Sequence, residues 1–162
     1  DSVLSPTPYW NLVEGLLNKS FEQADRGLSA LNIELIKGIA DLVGISSRCV
    51  DSRDIDVDNT SDKADWLLGI CHSLGVQEYL SPVGSFDYLN EKNPFSENDV
   101  ALRFLNYSHP TYPQHFGGFV PFMSAIEALA HVGPEGFLPL VRSGRNAHHT
   151  IEHLRGRSDE EL

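Results

Sequence analysis

Residues 61–81 read SDKADWLLGICHSLGVQEYLS, and this stretch indicates the fold class. Its first part has apolar residues at helical spacing, which predicts a helix over residues 61–74. One face of that helix would carry Ala64, Leu67, Leu68, Cys71 and Leu74. Gly75 then ends the helix, and VQEYLS at 76–81 predicts a strand directly after it. The stretch therefore predicts a helix that leads through a tight turn into a strand.

The flanking sequence continues this alternation of strands and helices. ISSRCV at 45–50 predicts an earlier strand, which completes a βαβ pattern with parallel strands and a right-handed crossover. VALRFLNY at 100–107 predicts a third strand. Further helices are predicted over residues 8–25, 29–43 and 124–133. Together these elements predict an α/β fold, with a small, mostly parallel sheet and helices packed on it in Rossmann-like layers.

Small polar residues and glycines mark the ends of the predicted helices. Ser29 and Ser124 precede apolar periodic segments and are expected to be N-caps. Gly44 and Gly133 follow such segments and are expected to end the helices.

The chain has 162 residues, a length that suggests one domain. We expect this α/β domain to cover residues 1–143. Residues 144–162 are charged and His-rich, which predicts a frayed tail. The chain opens on DSVLSPTPYW without an initiator methionine, so we interpret it as a fragment or a processed chain.

Charge and cysteine content restrict the class of partner. The net charge of −11 disfavours nucleic acid, because an acidic surface repels phosphate backbones. No apolar run approaches the ~20 residues of a membrane span, so no membrane insertion is expected. Cys49 and Cys71 have no CxxC partner, and Cys71 is expected to pack in the core. The sequence thus predicts a cytoplasmic protein with a small-molecule substrate, including a nucleotide-activated one, and it indicates no particular cofactor or oligomer.

Two loops follow predicted strands, at the edge where parallel sheets bind ligands. One is residues 51–60, and the other is residues 81–89, within YLSPVGSFDYL at 79–89. In the second loop, Ser81 and Gly84 end the strand, and Asp87 is placed to cap a turn or to accept a ligand hydroxyl or amine. The loop lacks the GKS/T of a P-loop and the Gly-x-Ser-x-Gly of a nucleophile elbow. A structural turn and a ligand-binding loop both fit these residues.

HPTYPQHFGGFVPFMSAIEAL at 109–129 combines prolines, glycines and aromatic residues. Prolines restrict the path of the backbone, while glycines allow tight turns or close approach to a ligand. His109, Tyr112, Gln114 and His115 add hydrogen-bonding groups. This segment fits either a packed aromatic loop that covers the sheet edge or one side of a binding site.

Two segments carry residues that metal sites use. DIDVDNTSDKAD at 54–65 places acidic residues with calcium-loop spacing, but Asn59 occupies the usual glycine position. A solvated acidic loop that caps the next helix is the alternative. His149 and His153 are four residues apart, as in some zinc sites, but no HExxH motif accompanies them. An exposed tail is the preferred explanation of His148, His149 and His153, and we predict no metal site.

Three segments, in this order, resemble the WbqC-like family of bacterial proteins. They are LNIELIKGIADLVGI at 31–45, DKADWLLGICHSLGVQEYLSPVGSFDYL at 62–89 and HPTYPQHFGGFVPFMSAIEALAHVGPE at 109–135. Pro82 replaces a glycine of the family pattern, and Met123 and Glu127 replace a leucine and an aspartate. The family resembled here typically opens with a His-Gln-Pro-x-Tyr segment, so its N-terminal part is expected to be missing from this chain.

The resemblance implies a role in bacterial surface-polysaccharide or natural-product biosynthesis. It suggests a transferase that moves an acyl, aminoacyl or related small group to an amino sugar or similar acceptor. The residues placed at the strand-end pocket are Ser81, Gly84, Asp87 and Tyr88, with His109, Tyr112 and Gln114 opposite. Asp87 and His109 are the predicted catalytic acid–base residues, and the others are predicted to bind substrate. The alternative is a non-catalytic partner or ligand-binding subunit of a biosynthetic complex, because no complete triad, P-loop or metal motif is present.

Overall fold

The computed structural model describes residues 6–22, 24–57, 62–115 and 117–156. These residues form helices and strands with the following bounds: α1 (Trp10–Phe21), α2 (Leu28–Leu42), α3 (Lys63–Ser73), β1 (Glu78–Ser81), α4 (Phe86–Glu91), β2 (Ala101–Phe104), α5 (Ala125–Ser143) and α6 (Ile151–Arg155). The chain divides into two compact units. The first consists of Asp1–Ser47 and Ser108–Arg145, and the second of Arg48–Tyr107 and Asn146–Leu162.

The described part of the first unit contains α1, α2 and α5, the 3₁₀ turn Ala24–Arg26 and the loop that precedes α5. α1 packs against both α2 and α5. Its buried core consists of Val13, Val43, Tyr112, Ala128, Leu129, Ala130 and Phe137. A side chain at Gly38 would meet the end of the Leu16 side chain of α1, which would have to shift. The glycine therefore lets α1 and α2 approach closely.

α5 is kinked at Gly133, where φ is 68°. The ring of Tyr9 fills the space that a side chain at this position would need. The Tyr9 N–H also donates to Ala130 O at 3.1 Å, which ties the start of α1 to the helix just before the kink. Gly133 was expected to end the helix, but the chain resumes a helical path after it and continues to Ser143. Within the described residues, no helix is both long and apolar enough to cross a membrane.

The second unit contains a two-stranded parallel sheet, which confirms the predicted α/β class. β1 and β2 pair in register from Glu78 with Ala101 to Ser81 with Phe104. The buried residues around the sheet are Ala64, Leu68, Cys71, Leu89, Phe95, Val100, Leu102, Phe104, Ile151 and Leu154. Cys71 therefore packs in the core, as its place on the apolar face of α3 predicted.

The predicted strand at residues 45–50 is wrong. These residues have no regular secondary structure, and both Ile45 and Val50 remain more than a third exposed. A strand needs a buried face, and this segment has none. The parallel partner of β1 is instead β2, which follows later in the chain. The βαβ connection thus runs through α4 rather than through α3.

The predicted helix ends agree with the structure at most positions. The Ser124 side chain accepts from Ile126 N–H, which confirms it as the N-cap of α5. Asp62 caps α3 in the same way, by accepting from Ala64 N–H at 2.8 Å. Ser29 is not a cap, because α2 begins one residue earlier at Leu28. Gly44 and Gly75 follow the ends of α2 and α3 with positive φ, as expected.

Residues 146–156 differ from the frayed tail that their composition suggested. His149 and Phe104 exchange two backbone hydrogen bonds of 2.8 and 2.9 Å. Thr150 then caps α6 by accepting from His153 N–H. Ile151 and Leu154 are buried in the core of the second unit. Two apolar residues spaced three apart are therefore enough to pack this segment, although its neighbours are charged.

Candidate functional site

Polar and aromatic side chains of the first unit meet at the buried carboxylate of Glu127. Ser124 caps α5, and this places Glu127 in its first turn and His131 one turn later on the same face. His131 Nδ1 lies 3.2 Å from Glu127 Oε1. The Tyr112 hydroxyl donates to Glu127 Oε2. One carboxylate therefore binds two donors, which offsets the cost of burying its charge.

His131 has one ring nitrogen engaged and the other without a partner. Its Nδ1 lies 2.9 Å from the Glu127 carbonyl oxygen as well as close to the carboxylate. Both neighbours are acceptors, so the hydrogen-bond network assigns the proton of neutral His131 to Nδ1. Nε2 is buried and has no hydrogen-bond partner among the described residues. It carries the lone pair and can accept a proton.

Tyr112 is buried between the loop and α5. Burial, together with its hydrogen bond to Glu127, raises the pKa of Tyr112 to about 12. The phenol therefore stays protonated at neutral pH and donates to the carboxylate. Gln114 Nε2 donates weakly to the Tyr112 hydroxyl at 3.3 Å and opposes part of this rise.

Gln114 holds the loop that precedes α5. Its Oε1 accepts from Val120 N–H at 2.7 Å, and its Nε2 donates to Val120 O at 3.0 Å. The Gln114 amide oxygen and nitrogen are thus both hydrogen-bonded to the backbone of Val120, as the backbone of a neighbouring strand would be. The predicted role of Gln114 in substrate binding stays a prediction, and the structure adds a loop-positioning role.

His109 also has both ring nitrogens engaged within the loop. Its Nε2 accepts from Phe122 N–H at 3.3 Å, which requires the proton on Nδ1. Nδ1 lies 2.9 Å from Pro110 O and donates to it. The His109 ring contacts Tyr112, Phe119 and Phe122, with the Phe122 ring edge-on at a centroid distance of 5.2 Å. His109 thus supports the loop, and its acid–base role stays a prediction.

The other predicted site residues lie in the second unit, where they follow β1. The Ser81 side chain is completely buried at the end of this strand. Gly84 lies in a one-turn 3₁₀ helix, Val83–Ser85. It is exposed, with open space where a side chain would be. Asp87 is exposed in the first turn of α4. Tyr88 is half-buried, and Lys63 Nζ lies 4.2 Å above its ring.

The structure thus groups the predicted residues into two sets. His109, Tyr112 and Gln114 form one connected cluster in the first unit. Ser81, Gly84, Asp87 and Tyr88 belong to the strand-end segment of the second unit. That all of them line one substrate pocket stays a prediction.

Among the described residues, His, Cys, Asp and Glu form no group of three or more that could hold a metal ion. Asp58 and Thr60 of the calcium-like segment lie outside those residues. In the C-terminal segment, the rings of His149 and His153 stack with centroids 4.5 Å apart.

Sequence reasoning missed the pairing of Glu127 with His131. Glu127 was noted only as a departure from the family pattern, and His131 was not singled out. The signal was the four-residue spacing of a carboxylate and an imidazole on a predicted helix, which places both on one face. Their link to Tyr112 is a tertiary contact that spacing cannot reveal.

Comparison with known proteins assigns the chain to a family. It is 30% identical over 115 residues to the uncharacterized protein Rv1507c of Mycobacterium tuberculosis. That alignment covers 70% of this chain and 48% of the relative, so the chain spans about half of the relative's length. No solved structure matches the chain significantly. The model of the WbqC-like protein family matches residues 1–137, beyond the segments 31–45, 62–89 and 109–135 that carried the resemblance, and the chain belongs to this family.

Proposed function

We propose that the chain acts as a biosynthetic transferase, which moves an acyl, aminoacyl or related small group to an amino sugar or comparable acceptor. The observation that carries this proposal is the buried Glu127–His131 pair, whose Nε2 has no partner among the described residues. A carboxylate that orients an imidazole through Nδ1 prepares Nε2 to accept a proton from a substrate. This is the group that acyl transfer to an amine requires.

In the proposed reaction, the acceptor nitrogen attacks the carbonyl carbon of an activated acyl donor. The new C–N bond forms as the bond from the carbonyl carbon to the leaving group breaks. His131 Nε2 takes the proton that the nitrogen loses and returns it to the leaving group. Glu127 stabilises the imidazolium that exists between these two proton transfers, and Tyr112 keeps the carboxylate in place.

An amine acceptor also fits the charge of the protein. A net charge of −11 attracts cationic molecules and repels anionic ones. Asp87 and His109 remain the acid–base residues predicted from the sequence. His131 is an additional candidate, because both nitrogens of His109 are used within the loop.

The decisive variant is His131→Asn. The Asn amide nitrogen can take the place of Nδ1 and donate to Glu127, whereas nothing replaces Nε2. The variant is introduced into the chromosomal gene, and the acylated product of the wild-type strain and of the variant strain is compared by mass spectrometry. We expect the transferred group to be lost from the product, with a rate decrease of about 100-fold or more. His72→Asn, on an exposed residue of the second unit, is the matched control.

The same experiment separates an enzyme from a non-catalytic subunit. If the protein only supports a complex, His131→Asn leaves the product unchanged as long as the protein accumulates and its partners co-purify. Unchanged acylation at normal protein levels would therefore contradict the proposal. Asp87→Asn and His109→Asn in the same strain test the two acid–base residues predicted from the sequence.

A further inference from the structure

The outer edge of β2, in the second unit, has open backbone hydrogen-bonding groups. Ala101 N–H donates to Gln77 O and Leu105 N–H to Ser81 O, both at 2.8 Å, so these residues face β1. In a parallel pair, the residues between them present N–H and C=O to the opposite side. Phe104 follows this rule, since it exchanges both of its backbone hydrogen bonds with His149. Leu102 presents its N–H and C=O to the same outer edge.

The pairing with the C-terminal segment stops before it reaches Leu102. In the antiparallel register set by Phe104 and His149, the next partner of Leu102 would be Ile151. Ile151 is instead the first residue of α6, and its side chain turns into the core. The Leu102 N–H and C=O therefore have no backbone partner on this side among the described residues.

A cleft of about 420 Å³ lies at this position. Leu102 and Arg103 of β2 line it, together with Thr150 and Glu152 at the start of α6. Asn93 also lines the cleft, and its Oδ1 is buried without a hydrogen-bond partner among the described residues. A buried polar atom without a partner costs stability, and a ligand donor would remove that cost.

The charges in the cleft favour a cationic ligand. Asp99 and Glu152 both line it. Among the described residues that line the cleft, Arg103 is the cationic one, and its Nε lies 3.6 Å from Glu78 Oε2 on the neighbouring strand. Hydrogen bonds from its own backbone N–H and from Thr150 lower the pKa of Glu152, so this carboxylate stays ionised.

We propose that this cleft binds an extended peptide segment, which pairs with Leu102 through its backbone and places a basic side chain near Asp99 and Glu152. A peptide residue offers one N–H and one C=O in the geometry that an open strand edge requires. The cleft volume suits a few residues and lies within the range of small-ligand sites. The proposal concerns the second unit and does not depend on the proposed transferase activity.

The test uses three probes and the amide signal of Leu102 in ¹⁵N-labelled whole protein. The peptide acetyl-Ala-Lys-Ala-amide is expected to shift this signal saturably. Acetyl-Ala-Glu-Ala-amide carries the opposite charge and is expected to bind at least about three-fold more weakly. The expected difference is small because ion pairs between partly exposed charges contribute little free energy. Free lysine lacks the strand-like amides and is expected to leave the Leu102 signal in place.

Variants locate the site. The double variant Asp99→Asn, Glu152→Gln is expected to bind the lysine peptide at least about three-fold more weakly. Glu152→Gln retains an acceptor for the Thr150 hydroxyl, so α6 stays capped. Glu91→Gln, on an exposed residue of α4, is the control and should change nothing. The proposal is overturned if the lysine peptide leaves the Leu102 signal unmoved, if both peptides bind equally, or if free lysine produces the same shift.

Discussion

Glu127 and His131 lie one turn apart on α5, with His131 Nδ1 3.2 Å from Glu127 Oε1. The second carboxylate oxygen accepts the hydroxyl proton of Tyr112, a residue from the loop before the helix. A single buried carboxylate thus orients an imidazole on its own helix and a phenol from the loop that precedes this helix. Its removal would leave the buried Tyr112 hydroxyl without an acceptor, while His131 Nδ1 would keep the Glu127 carbonyl oxygen.

Glu127→Ala is expected to lower the free energy of unfolding by about 1–3 kcal/mol, because it leaves the buried Tyr112 hydroxyl without an acceptor. Glu127→Gln should cost less, since the amide oxygen still accepts from one of the two donors. Urea unfolding monitored by circular dichroism measures both. Glu135→Ala, on an exposed residue of the same helix, is the control. Equal losses for Glu127→Ala and Glu135→Ala would show that the carboxylate does not support the fold.

Tyr112 should make stability depend on pH in the alkaline range. Its pKa is about 12 in the folded protein, against an ordinary value of 10.0. The folded state therefore holds the phenol proton more tightly, and this stabilisation is complete below pH ~10 and is lost as the pH rises from ~10 to ~12. The full difference between the two pKa values corresponds to at most about 3 kcal/mol in the free energy of unfolding.

The measurement compares wild type with Tyr112→Phe, which removes the titrating group. At pH 8 the wild type should be more stable, because the phenylalanine leaves Glu127 Oε2 without its donor. Between pH 9 and 11 this advantage should shrink by about 1 kcal/mol. A difference that stays constant over this range would contradict the raised pKa of Tyr112.

The sequence predicted the elements whose signals are local. Apolar periodicity located α1, α2, α3 and the first half of α5, and Ser124 marked the start of α5 correctly. The strand at 45–50 was predicted from local composition, but a strand also needs neighbours to pair with and a face to bury. The strand that pairs with β1 is β2, which comes later in the chain.

The candidate site was only partly predictable for the same reason. His109, Tyr112 and Gln114 contact one another, because they are close together in one loop rich in proline and aromatic residues, while their role in a substrate site stays a prediction. The acceptor that joins this loop to α5 is Glu127, and it lies fifteen residues after Tyr112. Contacts of this kind depend on how the loop folds back on the helix, which helical or strand periodicity does not describe.

Phe122 provides a test of local strain. Its φ of 61° lies in the left-handed region, which costs a bulky residue about 1–2 kcal/mol. Its side chain is 83% exposed, so a substitution removes little buried surface. Asparagine tolerates this conformation, whereas the aromatic contact with His109, worth ~0.5–1.5 kcal/mol, would be lost. We expect Phe122→Asn to raise the free energy of unfolding by about 0.5 kcal/mol, since relief of strain slightly exceeds the lost contact.

The comparison for Phe122 is Met123→Asn, at an exposed neighbour without positive φ. This control should show no increase in the free energy of unfolding measured with urea. A gain at Phe122 alone would mean that the phenylalanine is kept at some expense of stability, as is common where an exposed side chain contacts a ligand or partner. A loss of stability in Phe122→Asn would show that the contact with His109 outweighs the strain.

Leu154 tests whether the C-terminal segment packs in the core, which its charged and His-rich composition does not predict. Leu154 is 1% exposed and packs in the core of the second unit, beside Phe104 and Ile151. Leu154→Ala is therefore expected to lower the free energy of unfolding by about 2–4 kcal/mol, as cavity-forming substitutions in cores do. Arg155→Ala removes an exposed hydrogen bond from Nε to Asn90 Oδ1 and should cost no more than about 1 kcal/mol. A frayed tail would give near-zero effects for both variants, so a large loss for Leu154→Ala alone distinguishes a packed helix from a charged extension.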